Sequence, residues 1–269
     1  MICLRTKIKS PNICRTIRFR LSHSANSDSQ PSSVLTGCSS CIVRTSFLLC
    51  ILVLFAAPQT ATSRGFFCTR QGARLQYVRR YVSNDKVRWR HTMTIGQIDR
   101  RPDGSLLVSY SSDFVKANGR QMYGGPINLK ANVGPDGTVT LDLAESLTST
   151  LKNIFPKADV VSTAGITSLS PDLKPGDALP DVSAEAKLLG ITYKVSVTDR
   201  HVLYADTLET KAGKFACLVV SEHKVEKAPA HNRTTTAHTW YSPEVGMVRH
   251  DTYDAKMVLE TIEMLEAVE

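Results

Sequence analysis

Val87-Arg-Trp-Arg-His-Thr-Met-Thr-Ile95 alternates large, mostly apolar residues with Arg and Thr over nine positions. A period of two is the signature of a β-strand with one face on a core and the other in water. Val87, Trp89, His91, Met93 and Ile95 share the inward face. Arg88, Arg90, Thr92 and Thr94 share the other face, which the alternation assigns to solvent.

The flanks extend this reading. Ala73–Val82 is a further strand, separated by the polar turn Ser83-Asn-Asp-Lys86. On the other side, Arg101-Pro-Asp-Gly104 is a β-turn in which Pro presets φ and Gly supplies the permissive position. Ser105–Lys116 follows as a strand, then the hairpin signal Asn118-Gly119. Residues 120–133 read as a strand interrupted at Gly124-Gly125-Pro126, where a bulge or bend is expected. Gly134-Pro-Asp-Gly137 repeats the turn chemistry without an internal repeat around it.

One segment departs from period two. Leu143, Leu147, Leu151 and Phe155 recur every four residues, Asp142 can cap the start and Pro156 stops the run. This predicts a short helix over 143–154, packed on the sheet. Ser168–Ala184 is a Pro-rich connector. Strands then resume at Lys187–Thr198, Val202–Thr210, Phe215–Val225, Thr234–Tyr241, Met247–Tyr253 and Met257–Glu266. The last could be helical by the spacing of Leu259, Ile262 and Leu265, but it follows a turn and the preceding strand needs a partner. The expectation is a mainly β domain: a curled antiparallel sheet, or a partly open barrel or sandwich, of about eleven strands with one short helix.

Charge and cysteine divide the chain in two. Of 269 residues, 33 are Lys or Arg and 25 Asp or Glu, a formal net charge of +8. Residues 1–63 hold seven of the basic residues and one acid, Asp28; residues 64–269 hold 26 bases and 24 acids. Five of the seven cysteines also lie in the first part, leaving Cys68 and Cys217. The charge that would point to nucleic acid is therefore concentrated outside the β-rich part, and no nucleic-acid partner is expected.

The break coincides with a targeting pattern. Arg44 precedes the apolar run Phe47–Ala57, and Pro58-Gln-Thr-Ala-Thr-Ser63 offers small residues for cleavage before Arg64. Eleven apolar residues are short for a membrane span of roughly 20, so residues 1–63 read as a basic leader plus a secretory signal peptide. Residues 1–42 are either a long n-region or lie upstream of a true start near Val43. Residues 64–269 form a single domain destined for export: periplasmic, outer-membrane-associated or secreted.

Two later stretches carry a resemblance. Ala212-Gly-Lys-Phe-Ala-Cys217 is a tight turn leading into an alternating strand, and Thr239-Trp-Tyr-Ser-Pro-Glu-Val-Gly-Met-Val-Arg249 is a Trp-Tyr hairpin. With Gly65-Phe-Phe-Cys68 and Leu173-Lys-Pro-Gly-Asp-Ala-Leu-Pro180, they resemble the TapB family and related exported proteins with domains of unknown function, found mostly in Bacteroidota. The likeness spans 65–269, although the family commonly has Phe-Pro where this chain has Phe67-Cys68. It implies a β-rich envelope protein with no established activity, similar in outline to the curled sheets that hold acyl chains in lipoprotein carriers. In physical terms Gly213, Phe215, Trp240, Tyr241 and Gly246 are folding residues: turn glycines and core anchors.

Motifs for catalysis are absent from this reading. No Gly-x-Ser-x-Gly, His-Glu-x-x-His, Walker or zinc Cys-x-x-Cys pattern occurs after residue 63, and Cys38-Ser-Ser-Cys41 lies in the leader. His201, His223, His231, His238 and His250 lack metal-ligand spacing, so no metal and no cofactor is expected. Cys68 and Cys217 are expected to pair as a disulfide after export, the alternative being two separate buried thiols. The reading is an exported binding or interaction module, not an enzyme. Its first rival is a carrier of a lipid or other apolar ligand inside the curled sheet, with Trp89, Met93, Phe114 and Met122 as cavity residues; a hydrolase is the second.

Overall fold

The computed structural model describes residues 64–269 except 158, 164, 229 and 230. The expected leader and signal peptide, residues 1–63, lie outside the described residues. Fourteen strands and one helix follow in chain order: β1 (Arg74–Tyr81), β2 (Val87–Arg100), β3 (Leu106–Lys116), β4 (Ile127–Val133), β5 (Val139–Asp142), α1 (Leu143–Ile154), β6 (Val160–Thr163), β7 (Ile166–Leu169), β8 (Ala178–Leu179), β9 (Val182–Leu188), β10 (Ile191–Thr210), β11 (Gly213–Ala228), β12 (His231–Ser242), β13 (Gly246–Tyr253) and β14 (Leu259–Val268).

They build one antiparallel sheet in the order β6-β9-β10-β11-β12-β13-β14-β1-β2-β3-β4-β5-β7, with β8 paired to β10 off this path. Most neighbours are also neighbours in sequence, which is what short turns between alternating segments produce. Among the exceptions, one joins the two ends of the domain: β1 pairs with β14 from Leu75–Val268 to Tyr81–Thr261. Register shifts interrupt several of the central ladders, including β1–β2, β10–β11 and β2–β3. Such bulges increase twist and curl a sheet. The sheet does not close. Its ends, β6 and β7, are successive halves of one segment, the first pairing with β9 and the second with β5.

The turns form as their residues dictate. Gly104 donates to the Arg101 carbonyl and Gly137 to that of Gly134, at 3.0 and 2.9 Å. Helix α1 starts at Asp142, whose carboxylate accepts from the Ala144 and Glu145 amides, and it packs through Leu147 and Leu151 on Ala186 and Leu188 of β9.

Three expectations need correction. The strand placed over Lys187–Thr198 is broken at Leu189-Gly190, both with positive φ, and the piece before it belongs to β9. The strands expected on either side of Asp199 are a single one, β10, of 20 residues, because Asp199 takes positive φ as a bulge instead of ending the strand. The Pro-rich connector holds the end of β7, all of β8 and the start of β9, and with the short strands β5 and β6 the described residues form fourteen strands against about eleven expected. The closing segment is strand β14, as its pairing need required.

One end of the concave face is filled by the protein's own side chains. Leu75, Tyr77, Ile95, Val108, Val139, Val202, Val220 and Leu265 are buried there in one cluster. The segment before β1 threads through it. Phe67 meets the Tyr110 ring edge-on at 5.3 Å, and the Gly65 carbonyl accepts from the Glu244 amide at 2.9 Å. A Cβ at Gly246 would come within 3.2 Å of the Phe66 carbonyl oxygen, so Gly246 serves both a positive-φ turn and this close crossing.

Candidate functional site

The other end of the concave face is open. A cavity of about 950 Å³ lies between β1–β3 on one side and β10–β14 on the other, with Tyr123 of the β3–β4 connection and Leu147 of α1 in its walls. Its apolar surface comes from Trp89, Phe114, Met122, Leu147, Tyr193 and Met247. Seven Lys and Arg side chains line it, against three Glu.

Trp89 is the centre of one wall. The Arg79 guanidinium lies 4.7 Å from its ring centroid and that of Arg88 lies 4.5 Å from it. Arg88 also sits 5.5 Å from the Tyr81 ring. The β1–β2 register shifts between Arg79 and Arg80, pairing Arg79 with Trp89 and Arg80 with Val87. Arg88 is thereby left without a partner position and joins the cavity lining, whereas strict alternation would have sent it to solvent. Arg79 Nε and Trp89 Nε1 are buried and have no hydrogen-bond partner.

Beneath this wall lies a polar network. His91 stacks between Tyr77 and Phe114, with centroids at 5.1 and 4.2 Å. Its Nδ1 is 3.3 Å from Glu263 Oε1 and its Nε2 is 3.2 Å from Ser112 Oγ. The second Glu263 oxygen is 3.6 Å from Arg79, which also donates to Thr252 Oγ1. Burial raises the Glu263 carboxyl, but the His91 hydrogen bond and the Arg79 charge outweigh it and hold the group below the ordinary carboxylate value. Burial lowers the Arg79 guanidinium from its usual value, helped by Arg88 and Arg233 and opposed by Glu263.

Ser112, His91 and Glu263 have the connectivity of a nucleophile, base and acid. Ser112 is nevertheless buried and does not line the cavity, and it lies within the β3 ladder, where backbone N–H groups go to strand pairing. The chain is better placed to anchor Arg79 through Glu263 than to attack a substrate. Farther along, Thr239 Oγ1 and His250 Nδ1 are 2.9 Å apart, and burial depresses the His250 pKa to about 3, with Arg79 and Lys224 adding to the effect. Glu222 is 3.6 Å from the buried Arg200; burial raises its carboxyl despite Arg200 and Lys224.

Of the residues expected to line a cavity, Trp89, Phe114 and Met122 stand in its wall, and Met93 is buried in the filled core. Trp240 is buried with its indole N–H donating to Asp206 at 2.8 Å and the Arg249 guanidinium 4.6 Å from its ring. Phe215 and Tyr241 pack against the same core, and Gly213 takes φ +136 in the β10–β11 turn. The expected disulfide is not formed: Cys68 and Cys217 are separate buried thiols. Cys217 faces Asp206 across β10–β11, with three strands between β11 and β1 in the sheet, while Cys68 lies beside Leu75, Val245 and Val268 in a cavity of about 330 Å³. Burial, then Asp206, pushes the Cys217 thiol up to about 11.

Neither Arg79 nor Glu263 was singled out from the sequence, and His250 figured there only as a histidine without metal-ligand spacing. Their signal was parity. Arg79 alternates with Tyr77 and Tyr81, and Glu263 with Thr261 and Leu265, so each puts a charge on a face otherwise turned inward.

Comparison with known proteins places this geometry in a family. The chain belongs to the DUF3108-like family, which matches residues 70–265. No curated protein matches the sequence. Two solved structures share the fold. One is a Bacteroides fragilis protein described as exported, with a YmcC-like fold (TM-score 0.62, 20% identity, 77% of this chain and 99% of that one). The other is a Parabacteroides distasonis protein described as a lipoprotein (TM-score 0.62, 19% identity, the same coverage).

Proposed function

We propose that this DUF3108-like protein is an exported binding protein that holds an apolar ligand in the open end of its curled sheet. The carrying observation is the division of the concave face. One end is packed by Phe66, Phe67 and the strand residues around them, while the other keeps a cavity of about 950 Å³ walled by Trp89, Phe114, Met122 and Leu147. Ligand pockets typically enclose about 300–1,000 Å³ and are mostly apolar with a few placed polar groups. A sheet that needed only stability would bring side chains together there. Export is supported by the basic flank and apolar run before residue 64, and by the descriptions of the two structural neighbours as exported and as a lipoprotein. The finer kinship to the TapB family rests on the Trp240-Tyr241 hairpin.

The test is titration of the purified protein with N-phenyl-1-naphthylamine, a neutral probe that brightens in apolar surroundings. Saturable enhancement, weakened by Leu147→Glu in the cavity wall, is the expected result. A linear, unsaturable response would overturn the reading. Labelling of Ser112 by a fluorophosphonate would replace it with a hydrolase.

A further inference from the structure

We infer that the ligand of this cavity is a single-chain amphipathic anion, a carboxylate or phosphate head on one aliphatic tail, with its head held by Arg79 and Arg88 around Trp89. The inference rests on the binding role proposed above and adds the chemistry of the occupant.

Four observations converge. First, the charges do not balance. The three lining carboxylates are already engaged: Glu263 with Arg79 and His91, Glu222 with Arg200, and Glu226 with Lys224 at 2.7 Å. Arg88, Lys116, Lys194 and Lys227 line the same cavity and form no ion pair among the described residues. Second, two guanidinium groups are gathered on one indole with a single carboxylate, Glu263, shared between Arg79 and His91. The Arg88 charge acts unfavourably on Arg79, and an anion bound beside this cluster relieves that repulsion. Third, Arg79 Nε and Trp89 Nε1 are buried donors with nothing to donate to. Buried donors are nearly always satisfied, so two orphaned donors in this wall leave hydrogen-bonding capacity for acceptor oxygens. Fourth, apolar side chains share the lining with these charges: Phe114, Met122, Leu147, Tyr193 and Met247 offer surface to a tail and contribute little to a free inorganic anion.

The His91 network then acquires a role. Glu263, fixed by His91 and in turn by Ser112, positions Arg79 without fully neutralising it. Arg79 and Arg88 differ in depth. Arg79 is the buried member, braced by Glu263 and Thr252, whereas Arg88 is half-buried at the wall beside Tyr81.

The experiment is calorimetric titration of the purified protein with tetradecyl phosphate, myristate, tetradecanol and inorganic phosphate, each amphiphile below its micelle concentration. The two anionic amphiphiles are expected to bind at least about ten-fold more tightly than tetradecanol, since a charge-assisted contact is the stronger class of hydrogen bond. Inorganic phosphate should show no saturation, and the anionic advantage should shrink with added salt. Arg88→Met should cut the anions' advantage over tetradecanol several-fold, and Arg79→Met should cut it further; an advantage unchanged in Arg88→Met would overturn the assignment of the head to this cluster. The better of phosphate and carboxylate identifies the head. Equal binding of tetradecanol and the anions would overturn the inference while leaving an apolar carrier standing. Tight binding of inorganic phosphate alone would overturn the amphiphile. Failure of all three amphiphiles would remove the binding role itself.

Discussion

Arg79 and Glu263 are directly opposed partners in the β1–β14 ladder, and their side chains meet at 3.6 Å inside the concave face, both largely buried. The first and last strands of the sheet are therefore joined by a charge pair as well as by backbone hydrogen bonds, at the floor of the cavity.

Breaking that pair should be costly. Glu263→Gln leaves the Arg79 charge buried without its counter-ion, and such single removals typically cost about 3–5 kcal/mol. Combining it with Arg79→Met should recover part of the loss, because the orphaned charge is gone. Urea denaturation of the two single variants and the double variant measures this coupling. Additive losses would show that the pair is not coupled.

Stability should fall early on the acid side. Burial, first, and the nearby Arg79 and Lys224 hold His250 neutral with a pKa of about 3, well under the value of about 6.5 in an unfolded chain. A depressed folded pKa means that the contribution is complete above about pH 6.5 and is lost as pH falls toward 3, at roughly 1 kcal/mol per pH unit. Glu263, also depressed, adds a second loss below the ordinary carboxylate value. Unfolding free energies at pH 7.5, 6 and 5 should decline in the wild type, while His250→Gln should be flatter over that interval.

The threading segment should be energetically important. Gly246→Ala places a side chain at φ +89 and against the Phe66 carbonyl, which should cost about 1–3 kcal/mol. Phe67→Ala removes a buried ring in edge contact with Tyr110 and should cost about 3–5 kcal/mol. Thermal melts of both variants test this. An unchanged melting temperature in both would show that the segment is a passive tail.

The cysteines should behave as inert thiols. Alkylation in denaturant without reductant, followed by peptide mapping, should modify both Cys68 and Cys217. In the folded state Cys217 should react slowly, because its raised pKa leaves little thiolate. Reductant should not alter the melting temperature. Protection of both peptides until reduction would show a bridge instead.

The parts legible in the sequence were those set by neighbours along the chain. Alternation in Val87–Ile95 identified β2 and its inward face, the Pro-Asp-Gly turns closed where expected, and Asp142 and Pro156 bracketed α1. Strand ends were less legible, because Leu189 and Asp199 adopt positive φ that no local residue pattern announces. Leu189 ends a strand and Asp199 only bends one, a difference decided by which partner strand remains within reach. Trp89, Phe114 and Met122 could be named as inward-facing, yet Met93, two positions along the same face from His91, belongs to the filled end.

The sequence by itself determined the repertoire: mainly β, one helix, a basic first 63 residues distinct from a near-neutral remainder, and a face for those strand residues whose pairing keeps register. These depend on interactions a few residues long. The tertiary structure alone decided which stretch of the concave face is packed and which is open, and it gathered His91 and Glu263 from positions 172 residues apart. It also turned Arg88 inward through a register shift that depends on how β1 lies against β2. Alternation says which way a side chain points where the register is kept; only the pairing and curl of the sheet say where it is broken and what a side chain meets.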